Sequence, residues 1–226
     1  MLLHIPAVLN GAQLGTMRQA LAQAEWHDGA VTAGAQAAQA KHNLQLAAQD
    51  PLTRQLGASV ASALQAHPIF LSATLPRTLL PPMFNCHTLG AQYGQHIDAA
   101  LQFDPLSMQR VRTDVSVTVF LSEPEEYEGG ELVIDDTYGA HEVKLPAGDA
   151  IIYPASSLHR VAPVTHGTRL ACFSWVQSMV ADSWQRKMLF ELDMTIQKLR
   201  QQHGDSAEIV ALSGHYHNLL RLWAVL

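Results

Sequence analysis

From Val111 to Leu121 the chain alternates, with Val111, Val115, Val117 and Val119 interleaved with Arg112, Ser116 and Thr118. Successive strand side chains point to opposite faces, so a period of two in β-branched residues predicts a strand. Similar short runs fill the chain from about residue 68, punctuated by Pro68, Pro76, Pro81 and Pro82. "HEVKLPAGDAIIYPA" reads as strand, turn at Pro146 to Asp149, strand, and "TRLACFSWVQSMV" as a further buried strand. In "EEYEGGELVI", Gly129-Gly130 stands where a hairpin would turn. Many short strands at this spacing predict a sandwich or barrel.

The two ends follow the helical period instead. After a short edge strand in "MLLHIP", Asn10 is placed to cap a helix whose Leu14, Met17 and Leu21 share a face. The alanine-rich "AQAAQAKHNLQLAAQD" (35–50) reads as a second helix. Asp50-Pro51 opens a third through "LTRQLGASVASALQAH". Beyond the strands, Asp182 is placed to cap a helix carrying Trp184, Met188, Leu192, Ile196 and Leu199 on one stripe, and a last helix covers about 205–224. The fold class expected is α+β. Residues 1–77 form a helical and strand segment supporting the barrel, 78–180 its core, and 181–226 the C-terminal helices.

Composition narrows the classes. The 226 residues are 48% hydrophobic, enough for a sizeable core. A net charge of −6 without a lysine or arginine run argues against a nucleic-acid partner. No apolar stretch reaches membrane-span length, and the N-terminus lacks the pattern of a secretory signal. Cys86 and Cys172 lie in apolar surroundings, as buried free thiols rather than a disulfide. The expectation is a cytoplasmic chain without a membrane partner, with homo-oligomerisation left open.

The candidate chemistry begins at "YGQHIDAA", where His96 and Asp98 stand two apart on what reads as a strand, facing one way. Chance, a plain His–Asp hydrogen bond and a metal site all fit that triplet alone. A second one, His203-Gly204-Asp205, falls in an expected turn between helices. The first has context: His159 follows far downstream after a strand end, and Arg169 opens the next strand. Two histidines and one carboxylate can take one face of a divalent metal and leave the other open, as in non-haem Fe(II) oxygenases. A buried guanidinium can meet the far carboxylate of a chelating dicarboxylate with two parallel hydrogen bonds. Of the remaining features, five glutamates in residues 123–131 read as a solvated hairpin tip, with a substrate lid as the sharper alternative. His215 and His217 diverge on a helix.

These residues, with "WHDGAVTAG", "KHNLQL", "RTDVSVTVFLSEPEEYEGGEL" and "HRVAPVTHGTRLACFSWVQSMVAD", resemble the Fe(II)/2-oxoglutarate-dependent dioxygenases of the prolyl/lysyl hydroxylase type. The likeness is closer still to the bacterial PKHD-type hydroxylases, the PiuC-like proteins associated with iron uptake. The resemblance implies a double-stranded β-helix (jelly-roll) core with Fe(2+) on His96, Asp98 and His159 and 2-oxoglutarate on Arg169. It also implies L-ascorbate as reductant and dioxygen as co-substrate, with no catalytic side chain beyond the metal centre. Tyr93 is expected to line the co-substrate pocket, and Trp175 joins it by sharing the strand face of Arg169. Phe120 stands where some relatives carry a tyrosine that bonds the co-substrate. The substrate is a small molecule or a protein residue. The rival reading is a non-catalytic 2-oxoglutarate or metal sensor on the same barrel.

Overall fold

The computed structural model describes residues 1–32, 40–105 and 107–225. Strand β1 (Leu3–Ile5) precedes helix α1 (Gly11–Leu21). Asn10 caps α1 reciprocally: its side chain accepts from the Gln13 amide, and the Gln13 side chain accepts from the Asn10 amide. Strands β2 (His27–Asp28), β3 (Lys41–His42) and β4 (Leu44–Gln45) lead to α2 (Pro51–Ala66) and α3 (Pro68–Thr74). Next come β5 (Pro76–Leu79), β6 (Met83–His87), β7 (Gln92–His96), β8 (Leu101–Asp104), β9 (Gln109–Arg112) and β10 (Val115–Phe120). They are followed by β11 (Tyr127–Gly129), β12 (Leu132–Asp136), β13 (Gly139–Val143) and β14 (Ala150–Pro154). Strands β15 (His159–Val161), β16 (Val164–Gly167) and β17 (Arg169–Ser178) complete the β region, and α4 (Ser183–His203) and α5 (Ala207–Trp223) follow.

The larger sheet runs β1-β14-β10-β17-β6-β4-β2, with β5 also on β17; the smaller runs β13-β12-β15-β7-β3. Alternation divides the larger sheet's residues between two cores. Val115, Val117, Val119, Ile152 and Cys172 face outward onto Met17 and Leu21 of α1, Val60 and Leu64 of α2 and Phe70 of α3. Phe120, Ile151 and Tyr153 face inward onto Leu132, Ile134 and Val161 of the smaller sheet. The result is the expected jelly roll, closed at one end by the second core and open at the other. Helices α4 and α5 pack Leu189, Tyr216, Leu219 and Trp223 around Leu75 and Val180.

Four expectations are corrected. Residues 41–45 are strands, not helix: Lys41, Asn43 and Gln45 are buried on one face while Leu46 joins the outer core, a period of two that the neighbouring alanines mask. The part of that expected helix over 35–39 lies outside the described residues. Pro68 opens a helix rather than a strand, because a proline at the first helical position lacks only an amide that would go unpaired anyway. Gly129-Gly130 does not turn a hairpin. Strand β11 pairs with β16 and β12 with β13 and β15, so the glycines carry the chain between sheets. Both have φ of +68°, and a Cβ on Gly129 would lie 2.1 Å from the Pro163 carbonyl oxygen. On α4, Trp184 is 70% and Met188 53% exposed, whereas Leu189 and Ile196 are buried. Steps of four drift by about 40° each on a 3.6-residue helix, so Trp184 lies roughly 120° around from Ile196.

Candidate active site

Strands β7 and β15 are antiparallel neighbours, and their pairing sets His96 directly opposite His159. The next pair is Val161 with Tyr93, so two residues of β7, Gly94 and Gln95, stand opposite the single Arg160 of β15. This bulge lets Tyr93 and His96, an odd number apart, face the same cavity. Asp98 lies two residues beyond β7, carried inward by extended chain rather than by the strand itself. The His96 and His159 Nε2 atoms stand 4.0 and 3.9 Å from Asp98 Oδ1. One ligand atom from each of the three residues lies within 4.8 Å of the others, and no other such cluster occurs among the described residues.

The surroundings suit a divalent metal. His96 Nδ1 pairs with the Gly94 carbonyl at 2.8 Å and His159 Nδ1 with the Ser157 carbonyl at 3.0 Å. Each ring therefore donates through Nδ1 and keeps the Nε2 lone pair for the shared point. Burial, reinforced by His159, pulls the His96 pKa down to about 4, which leaves the imidazole neutral near pH 7. The Ser116 hydroxyl donates to Asp98 Oδ2 at 2.5 Å and leaves Oδ1 toward the histidines. Imidazole and carboxylate without thiolate fit ferrous iron.

Arg169 occupies the deep end, across the sheet from His87. It is 1% exposed, and its Nε and Nη1 have no hydrogen-bond partner. Phe120 presents its ring 5.4 Å from the guanidinium carbon and offers no hydroxyl. The buried hydroxyls that act on Arg169 come from Tyr127 and Tyr153, with Tyr127 also in hydrogen-bond reach of the guanidinium. Burial depresses the Arg169 pKa, opposed by those tyrosines. A buried guanidinium with idle donors is costly alone and well matched to a carboxylate.

Between these groups lies a cavity of about 650 Å³. Tyr93 lines it and stacks on the His96 ring at 3.6 Å between centroids, its hydroxyl pushed up to about 12 by burial and by Asp98. Trp175 also lines it, on the face of β17 expected. Six residues along a strand is roughly 20 Å, longer than 2-oxoglutarate. Trp175 thus stands farther along β17 than Arg169, beside Phe173 on the cavity wall.

Sequence reasoning passed over a polar wall. Lys41, Asn43 and Asn85 line the cavity, and Asn43 Nδ2 meets His87 Nε2 at 3.2 Å. Alternation in "KHNLQL" and "MFNCH" was the available signal. The glutamate segment is not a free hairpin tip. Glu126 pairs with Arg18 of α1, Glu123 accepts from the Ala147 amide, and none of residues 123–131 lines the cavity. In the second triplet Asp205 pairs with Arg200, and Gly204 ends α4. No helix among the described residues is long and apolar enough to cross a membrane.

Comparison with known proteins agrees with this geometry. Residues 82–177 match the 2OG-Fe(II) oxygenase superfamily and residues 183–224 the PKHD-type hydroxylase C-terminal domain. A Pseudomonas putida prolyl-4-hydroxylase shares the fold, with a TM-score of 0.53 at 19% identity over 78% of this chain and 92% of its own. PKHD-type hydroxylase PiuC of Pseudomonas aeruginosa is 52% identical over 226 residues, covering 100% of both chains. A PKHD-type hydroxylase of Hyphomonas neptunium is 61% identical over 224 residues, 99% of each. Identity at this level along the whole length makes the chain a member of the PKHD-type hydroxylases, dioxygenases that use Fe(II) and 2-oxoglutarate.

Proposed function

We propose that His96, Asp98 and His159 hold the Fe(II), that Arg169 receives the far carboxylate of 2-oxoglutarate, and that the enzyme hydroxylates a substrate admitted along the Phe173 and Trp175 wall. The observation carrying this reading is the convergence of two Nε2 atoms on Asp98 Oδ1 while each Nδ1 is committed to a carbonyl. Bound there, iron and 2-oxoglutarate supply the oxidising chemistry, in which dioxygen is reduced as the co-substrate loses carbon dioxide and becomes succinate. The chain's own work is positioning. Ser116 fixes which Asp98 oxygen is presented, the histidine rings are held by main-chain carbonyls, and Tyr93 braces the His96 ring. The guanidinium anchors one end of the co-substrate so that its other end reaches the metal. The inner core of Phe120, Ile151 and Tyr153 excludes water behind it.

In this reading residues 78–180 are the oxygenase core, 1–77 its support, and 181–226 a helical pair packed behind. Ascorbate serves as the reductant that keeps iron ferrous. The substrate is a small molecule or a protein side chain in the setting of iron uptake. The test is uncoupled conversion of 2-oxoglutarate to succinate with Fe(II) in air, which needs no prime substrate. Wild-type protein should turn over and Asp98→Ala should not. Equal rates would remove the metal centre from the mechanism, and saturable 2-oxoglutarate binding without any turnover would favour the sensor.

A further inference from the structure

Ser116 does not stand alone behind Asp98. Tyr153 of β14 is its cross-strand partner, and both residues line the cavity. Thr118, two places along β10, faces the same way and lines the cavity as well. The Tyr153 hydroxyl is in hydrogen-bond reach of the Thr118 and Ser116 hydroxyls, and both Asp98 and Arg169 act on it. The phenol is therefore within the field of the metal ligand and of the co-substrate anchor. It is buried, and its ring stands edge-on to the His159 ring at 5.1 Å between centroids.

The direction of these hydrogen bonds is set from one end. A carboxylate only accepts, so the Ser116 proton is committed to Asp98 Oδ2. A hydroxyl that has given its proton to an anion is polarised and becomes a better acceptor. Burial keeps the phenol protonated, so it has a proton to donate to that serine oxygen. Thr118 can then donate to the phenol oxygen. The chain from Thr118 to Tyr153 to Ser116 to Asp98 runs one way, and each bond strengthens the next.

We propose that Tyr153 is a positioning residue for the metal centre, acting on Asp98 through Ser116. This rests on the function proposed above, in which Asp98 holds the Fe(II). Donation from the phenol holds the serine hydroxyl on Oδ2 and so keeps Oδ1 turned to the histidines. The ring of the same residue backs the His159 imidazole. One side chain thereby steadies two of the three ligands, Asp98 by its hydroxyl and His159 by its ring.

The test separates those two parts. Tyr153→Phe keeps the ring in the inner core and against His159 and removes only the hydroxyl, so the fold should persist. Fe(II) affinity, measured without oxygen by competition with a chromogenic chelator, should fall by about three- to tenfold, at or below the low end for the immediate partner of a metal ligand. In a Ser116→Ala background the same substitution should have no further effect, because the route to Asp98 is already cut. Co(II) in place of iron gives a visible spectrum sensitive to carboxylate binding, and Tyr153→Phe should shift it in the direction that Ser116→Ala does. If Tyr153→Phe does not fold, Thr118→Val cuts the chain one bond further out, and its affinity should fall in the wild-type background but not in Ser116→Ala. The proposal is overturned if folded Tyr153→Phe binds Fe(II) as tightly as wild type, or if the two losses multiply in the double variant, as independent packing effects would. Wild type that fails to bind Fe(II) would overturn the metal site proposed above and this inference with it, a result distinct from a variant that matches a binding wild type.

Discussion

Ser116 lies on β10 of the larger sheet and Asp98 just beyond β7 of the smaller, yet the serine hydroxyl donates to Asp98 Oδ2 at 2.5 Å and thereby decides that Oδ1 faces the histidines. Removing that hydroxyl frees the carboxylate to rotate. Ser116→Ala is expected to weaken Fe(II) binding by about 10- to 100-fold, the usual range for the partner of a metal ligand. The fold should persist, because Ser116 belongs to neither apolar core. A competition titration with a chromogenic chelator measures it, and an affinity equal to wild type would refute the assignment.

Arg169 cuts both ways. In the role proposed above, its buried charge, with Nε and Nη1 unpartnered, costs stability in the protein without co-substrate and is repaid by a bound dicarboxylate. Arg169→Met is expected to raise the melting temperature of the protein without 2-oxoglutarate. It should also abolish the stabilisation that 2-oxoglutarate gives wild type, about 2.7 kcal/mol at a hundredfold excess over Kd. Differential scanning fluorimetry of both proteins with and without 2-oxoglutarate checks the pair of effects.

Burial pulls the Lys41 ammonium from 10.5 down to about 8, with Asp28 opposing. Tyr93 and His87 stand nearby, the latter held neutral by burial. Between those two values the unfolded chain binds a proton that the folded one does not, so this residue's contribution to stability rises with pH. It is complete above 10.5 and worth roughly 3 kcal/mol. Cys86, raised from 9.0 to about 11 by burial, works the other way from pH 9 upward, as does Cys172. The difference between wild type and Lys41→Met isolates the lysine. In urea melts of metal-free protein, the variant's advantage should shrink from pH 8 to pH 10.

Both thiols are buried on the outer-core side of adjoining strands and are pushed up in pKa. Neither should react with a disulfide reagent in the native protein, and both should react in denaturant. Rapid labelling of the folded protein would contradict the packing between the larger sheet and α2.

The sequence made the jelly roll legible where alternation is strong, as in β10 and β17, and where caps are explicit, as at Asn10, Asp50 and Asp182. His96, Asp98, His159 and Arg169, which the fold brings around one cavity, stood out in the sequence because their residue types and order are unusual together. Lys41, Asn43 and Asn85 were missed because a polar residue facing a cavity looks, in one dimension, like a polar residue facing water. Tyr127 was missed for another reason: the glutamates around it suggest solvent, while its own ring is buried under Lys144. Trp175 lines the cavity on the face expected, and parity along a strand fixes that side but not the distance from Arg169.

The extra residue that β7 carries opposite β15 has a genetic corollary. Excising one codon between Tyr93 and His96 would even out the ladder and leave the two rings two residues apart, still on one face. The shortened chain could still build two stacked sheets with an intact hydrophobic interior. Reading-frame-preserving deletions at Gly94 or Gln95 are therefore expected among tolerated alleles, with both rings still turned to the cavity.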